Sequence, residues 1–333
     1  MSLAALFELH ERETLYSGAN QAIWHSHYDA LHRAKKAARE EDFVATLVTT
    51  GIPSLAERWA PLLRSKGISL KLAGVFCHGH PQVSFGTPAK KVELADLLIV
   101  HQHTKAGRVS ARAILLQAKM STDSTHRLSR SDAQLDLFSH WPPFEFVTGG
   151  LAPGVRDINE HGKGSRYALV HAGEAYPENI SWADQCPWAA SDAKQLLTAD
   201  RSLARLLGDM LLNKDGRPFN LGTSKDDWSR TINELLQTTG QRTFKRANIR
   251  QNHTSRITEA GAGTVGFMLT YLDEKQIASP TLTSKGSLLD RYFGTVPIFQ
   301  EGNDGSDLPP RDETDQPRGG LSTLIIETTE GIG

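Results

Sequence analysis

Two short, unbroken apolar runs, Leu97-Leu98-Ile99-Val100 and Ile114-Leu115-Leu116, constrain the fold of this chain more than any other feature. Each is too short for a core helix and too continuous for a strand with one wet face. Runs of this kind suit strands whose sheet is covered on both sides. A polar turn around Lys105-Ala106-Gly107-Arg108 separates them. The spacing therefore predicts neighbouring strands at residues 95–100 and 111–119.

The flanking pattern extends this to an α/β core. The first 40 residues read as helical and end in a charged run from His32 to Asp42. Phe43, Val44, Leu47 and Val48 then mark an apolar face at helical spacing, which Gly51-Ile52-Pro53 is expected to interrupt. Ser54-Leu55-Ala56-Glu57 reads as a capping box opening a second helix, with Leu55, Trp59, Leu62 and Leu63 inward and Pro61 predicting a kink or an early end. Residues 69–77 form a first strand, and a connection rich in Gly and Pro leads to the two apolar strands. Residues 133–140 read as a helix, and 144–147 and 166–170 as further strands. Beyond these, residues 200–213 and 226–236 are amphipathic helices, 265–272 and 321–327 are strands, and Glu301 to Gly320 reads as a flexible loop.

Composition narrows the classes. With 37 Lys+Arg against 38 Asp+Glu the formal net charge is −1, so a nucleic-acid partner can be argued only from local patches. Cys77 and Cys186, the two cysteines, give neither a disulfide framework nor a four-cysteine zinc site, and a reducing cytoplasm is the expected compartment. No run of about 18 apolar residues occurs, so no membrane span is expected.

The chemistry-bearing residues fall on the two apolar strands. Asp96 opens one of them, where a lone carboxylate is normally avoided, and Gln117 and Lys119 close the other. Residues two apart in a strand share a face, so Gln117 and Lys119 project together, and the turn can bring Asp96 alongside. A hard cation such as Mg²⁺, or Mn²⁺, takes oxygen ligands. Asp96 would supply a charged one, and the Gln117 side-chain oxygen and Ala118 carbonyl neutral ones. Lys119 would orient or deprotonate an attacking water and offset developing charge, the set of groups that phosphodiester hydrolysis needs. A structural ion pair between Asp96 and Lys119 is the competing reading.

Asp96, a twenty-residue interval and Gln117-Ala118-Lys119 after an apolar strand resemble the PD-(D/E)xK, restriction-endonuclease-like nuclease superfamily in its QxK variant. The match spans roughly residues 37–170, with Ala95 where the motif's proline would stand and glutamine in place of the acid. The resemblance implies a mixed central sheet flanked by helices and a further acid from the first core helix, for which Glu41 fits best by position and Glu40 is the substitute. It implies a metal-dependent endonuclease acting on DNA, with RNA the alternative, in prokaryotic restriction or anti-phage defence. Homo-oligomers or other defence-system subunits are the expected partners. The rivals are a catalytically silent nucleic-acid-binding or scaffold protein of the same fold, and a histidine-bound zinc hydrolase.

The expected organisation is an N-terminal helical segment (1–36), a nuclease core (37–175) and a mainly helical C-terminal recognition part (176–333). In that last part Arg242, Lys245, Arg246 and Arg250 lie in a stretch without acidic residues that could track phosphates. Arg108, Arg112, Arg127 and Arg130 are expected to flank the site and could do the same. The histidine pairs His25/His27, His78/His80 and His101/His103 are expected to be exposed, and Gly261-Ala262-Gly263-Thr264-Val265-Gly266 reads as a tight turn, lacking the preceding strand and following helix of a dinucleotide site.

Overall fold

The structure is a computed structural model describing residues 3–34, 37–77, 81–158, 164–173, 182–241, 244–245, 267–272, 287–293 and 320–331. Its centre is a mixed sheet of nine strands among these residues. Seven form a continuous path, in the order β13 (Phe267–Leu272), β1 (Ile68–Val75), β14 (Ser322–Glu330), β4 (Leu97–Lys105), β5 (Arg108–Ser121), β8 (Ser165–His171) and β9 (Trp188–Ser191). The two-residue β12 (Phe244–Lys245) extends the β13 edge, and β11 (Arg217–Phe219) pairs with the far end of β5. β4 and β5 are antiparallel, with Leu97 opposite Leu116 and Lys105 opposite Arg108, whereas β5 and β8 are parallel.

Strand alternation divides the core into two layers. Leu97, Ile99, Ile114, Leu116 and Ala118 face one layer, which holds α1 (Leu9–Arg33), α2 (Glu40–Thr46), α3 (Ile52–Ser65) and α5 (Leu203–Leu211). Leu98, Val100, Ala113 and Leu115 face the other, with α4 (Ala133–His140), α6 (Asp227–Gln241) and α7 (Leu288–Phe293). Both faces of the apolar strands are thus covered, as their unbroken runs require.

Several expectations change. Gly51-Ile52-Pro53 does not break the helix: α2 passes through one π-type turn, Leu47–Gly51, directly into α3. Ser54 is buried inside that helix instead of capping it, and the helix continues past Pro61 to Ser65. The wide turn matches a glycine on the facing strand. A Cβ at Gly74 would stand 2.0 Å from the Val48 carbonyl oxygen, so only glycine lets the turn lie on β1. The connection after β1 holds a hairpin, β2 (Gln82–Phe85) and β3 (Lys90–Glu93), that joins β7 (Phe144–Phe146) in a separate three-stranded sheet.

The described part of 176–333 mixes helices and strands, so a mainly helical C-terminal part is not confirmed. It contributes six strands, β9 to β14 (with β10 at Leu196–Thr198), beside three helices, and β14 lies between β1 and β4. The expected boundary near residue 175 is therefore crossed by the sheet itself. The reason is register: Ile325 and Ile326 are buried on opposite faces, completing both apolar layers. The helices α5 and α6 do bury the expected faces, Leu203, Leu206, Leu207, Met210 and Leu211 in one and Trp228, Ile232 and Leu235 in the other. No helix among the described residues is long and apolar enough to cross a membrane.

Candidate active site

Asp96 lies one residue before β4, and its position follows from how the β4–β5 ladder ends. Its backbone N–H donates to the Leu116 carbonyl at 2.9 Å, the last rung before the chain turns away. Ala118, two residues further along β5, would then lack an acceptor on that edge. The Asp96 side chain fills the gap: Oδ2 accepts from the Ala118 N–H at 2.6 Å. The next outward N–H on the edge, that of Met120, donates to Glu40 Oε1 at 3.1 Å. Two carboxylates therefore cap successive N–H groups of one strand edge where it runs beyond its partner. Alternation sends the Ala118 carbonyl to this same edge.

Gln117 approaches Asp96 from the second layer, where its Nε2 donates to Asp96 Oδ2 at 2.5 Å. Asp96 and Gln117 are 8% and 5% exposed, so this contact is shielded from water. The other end of the amide has no such match. Gln117 Oε1 is buried without a hydrogen-bond partner among the described residues. An unsatisfied buried acceptor costs about 1–3 kcal/mol, so its retention needs an explanation. Tyr167, opposite Gln117 on β8, is likewise buried with an unpartnered hydroxyl, and burial pushes its pKa up, so the hydroxyl keeps its proton.

Lys119 is half-buried on the same face as Gln117 and forms no ion pair among the described residues. The structural ion pair with Asp96 that would account for both residues is thus not formed. Of the two acids on α2, Glu40 reaches the strand. Glu41 pairs with Arg39 at 3.1 Å on the surface, with side chains 61% and 40% exposed for Arg39 and Glu41. The substitute, not the first choice, is therefore the residue adjoining the site. Position alone could not separate them, because neighbouring helical residues differ by about 100° in direction and the entry angle of α2 decides which one faces β5.

All-oxygen donors suit a hard cation. The oxygen groups this edge offers are the Asp96 and Glu40 carboxylates, the Ala118 carbonyl and the Gln117 amide, which turns Nε2 and not Oε1 toward Asp96. Among the described residues no cluster of three or more His, Cys, Asp or Glu side chains could hold a metal. The histidines belong elsewhere. His101 and His103 are buried, not exposed, and share the Thr328 hydroxyl at 2.9 Å each, with His103 also 3.1 Å from Glu330. Burial lowers the His101 pKa to about 3 and also lowers that of His103. His25 is exposed, but His27 is buried against Phe43, ring centroids 4.7 Å apart, and its pKa falls to about 4. His78 and His80 lie outside the described residues.

The basic groups also divide. Arg108 sits at the β4–β5 turn, nine residues from Gln117 along β5, or about 30 Å at roughly 3.3 Å per residue. Arg112 is at the same end, donating to the Gly216 carbonyl at 2.9 Å. Neither flanks the site, because the hairpin extends away from it. Of the later basic stretch, only residues 244–245 are described. Lys245 belongs to the edge strand β12, five strand positions from β5. Arg242, Arg246 and Arg250 lie outside the described residues, as do residues 261–266 and 301–319. No protein-family model, no curated protein and no solved structure matches the chain, so its functional reading rests on this geometry.

Proposed function

We propose that this chain is a divalent-metal-dependent nuclease with a restriction-endonuclease-like core, hydrolysing phosphodiester bonds in DNA as part of prokaryotic anti-phage defence or restriction. The observation that carries this reading is the buried Asp96–Gln117 junction at a strand edge whose next outward N–H is capped by the half-buried Glu40. There an amide oxygen has no partner, and the ammonium of Lys119 forms no ion pair among the described residues. Asp96, Glu40, Gln117 Oε1 and the Ala118 carbonyl would hold Mg²⁺ or Mn²⁺. The ion supplies charge stabilisation at phosphate and a more acidic bound water. Lys119 orients the attacking water and offsets charge developing on the phosphoryl oxygens. To serve such an ion, Gln117 would have to turn its amide so that Oε1, not Nε2, faces Asp96. Burial of Asp96 and Gln117 strengthens the interactions made by these two residues.

One observation favours the rival, a catalytically silent nucleic-acid-binding or scaffold protein. Asp96 already has a structural task, capping the β5 edge and accepting from Gln117. A plasmid digest with Mg²⁺, with Mn²⁺ and with chelator separates the two. Cleavage that needs metal and disappears in Lys119→Met supports the nuclease; no cleavage with either ion refutes it. Lys119 forms no described ion pair, so that variant should fold. For Asp96 the informative change is Asp96→Asn, which keeps an oxygen for the Ala118 N–H. Asp96→Ala leaves that donor orphaned, at about 1–3 kcal/mol.

A further inference from the structure

The segment joining β5 to α4 starts and ends at the candidate site. At its start, His126 Nδ1 lies 3.0 Å from the Met120 carbonyl, the residue whose N–H Glu40 caps. At its end, Gln134 Nε2 donates to the Leu94 carbonyl at 3.1 Å, two residues before Asp96. Residues 121–133 therefore arch from one side of the Asp96–Gln117 junction to the other. One further strand, β10, braces the arch. β6 (Thr125–Arg127) pairs with β10, and the Leu128 N–H donates to the Gln195 carbonyl at 2.8 Å.

The charged residues of the arch are used unequally. Asp123 accepts from the Thr125 N–H at 3.1 Å and its hydroxyl at 3.0 Å, which holds its carboxyl below the usual range. Asp132 caps α4 by accepting from the Leu135 N–H at 2.8 Å. The carboxylates of the arch are thus committed to its shape. Arg127 and Arg130 are both exposed, and neither has an ion-pair partner among the described residues. Other exposed or half-buried arginines divide. Arg39 pairs with Glu41, Arg166 with Asp192, Arg201 with Asp209 and Asp215, and Arg205 with Glu13 and Asp184. Arg58, Arg108 and Arg291 form no ion pair among the described residues, so place beside the candidate site is what sets Arg127 and Arg130 apart. A braced loop whose two carboxylates are held by its own N–H and hydroxyl groups, and whose guanidinium groups stay open beside the candidate site, can meet an anion supplied by the substrate.

We infer that Arg127 and Arg130 contact the phosphodiester backbone of a nucleic acid and guide it to the Asp96–Gln117 junction. This rests on the nuclease reading for its site, but it concerns binding and can fail separately. Each guanidinium neutralises one phosphate and releases counterion, with a slope of about −0.9 per contact in log K against log salt on B-DNA. The double variant Arg127→Gln/Arg130→Gln should therefore reduce the slope by up to about 1.8. Across a fourfold rise in salt that amounts to a roughly twelvefold smaller loss of affinity than in the unaltered protein.

The experiment is fluorescence anisotropy of the full chain with a labelled DNA duplex, in chelator so that nothing is cut, from low to physiological salt. Arg108→Gln, which removes one exposed positive charge at the far end of the hairpin, is the control and is compared with each single variant, Arg127→Gln and Arg130→Gln, as well as with the double. The inference predicts weaker binding and a smaller slope in the Arg127 and Arg130 variants only. An unchanged slope overturns it, as does an equal loss in the control or no DNA binding by the unaltered protein. Preferential binding to anionic vesicles or a sulfated polysaccharide overturns it too. If binding responds as expected but the digest shows no metal-dependent cleavage, the nuclease reading fails and the phosphate contacts stand. If cleavage occurs and the slope does not change, the outcome is reversed.

Discussion

Changing Gln117 to Glu tests the site most directly, because the amide and the carboxylate have the same shape and opposite needs. In the resting arrangement Gln117 Nε2 donates to Asp96 Oδ2 at 2.5 Å, a hydrogen bond to a buried charge. Such bonds contribute about 1.5–3 kcal/mol, and a cation bound by Asp96 and Gln117 Oε1 must first break this one. The glutamine therefore weakens cation affinity by about ten- to a hundredfold, at roughly 1.4 kcal/mol per factor of ten. With glutamate in its place two carboxylates meet in a shielded position. Their repulsion is about 4 kcal/mol at roughly 4 Å and an effective dielectric of about 20. One carboxyl then holds a proton to higher pH than it would unfolded. In chelator, the stability of Gln117→Glu should be highest at acid pH and fall as pH rises through that raised pKa. Added Mg²⁺ or Mn²⁺ should restore it and bind at least tenfold more tightly than to the unaltered protein. Titration calorimetry and thermal melts at several pH values supply both readouts. Equal cation affinity in the two proteins, with the variant folded, would refute the assignment of Gln117 to a cation site.

Glu40→Gln should fold, since an amide oxygen can still accept from the Met120 N–H, and should lose cation affinity and cleavage. Glu41→Gln should change neither, because its exposed pair with Arg39 is worth about 0–1 kcal/mol; the reverse pattern in a metal titration would return the role to Glu41. His27 titrates at about 4 in the fold against 6.5 unfolded, so the unfolded chain binds its proton first as pH falls. Its contribution is complete above pH 6.5 and is lost toward pH 4 at up to about 1.4 kcal/mol per pH unit. His27→Phe, stacked on Phe43, should flatten the dependence of denaturant stability on pH over that window, and an undiminished slope would contradict it. Gly74→Ala should cost about 3 kcal/mol or more, because its methyl group meets the Val48 carbonyl instead of a side chain that can move. A melting temperature unchanged in that variant would show that the turn at residues 47–51 can retreat from β1.

The sequence by itself located β1, β4 and β5 and the buried faces of α5 and α6, and put Asp96 and Gln117 at adjoining strand ends. The runs at Leu97–Val100 and Ile114–Leu116 required strands covered on both faces, and the turn between them set them side by side. Spacing alone brought Asp96 next to Gln117, because the side-chain period of a strand leaves few alternatives. Tertiary structure decided what periodicity cannot encode. Which acid of α2 meets β5 depended on the angle at which the helix enters, so Glu40 adjoins the site and Glu41 faces Arg39. That His101 and His103 are buried depended on β14, which pairs beside β4 although more than 200 residues separate them in the chain. The same pairing draws the C-terminal half into the central sheet. An apolar strand such as Leu324-Ile325-Ile326 carries no signal for the neighbour it will choose; the gap between β1 and β4, open on both layers, makes that choice.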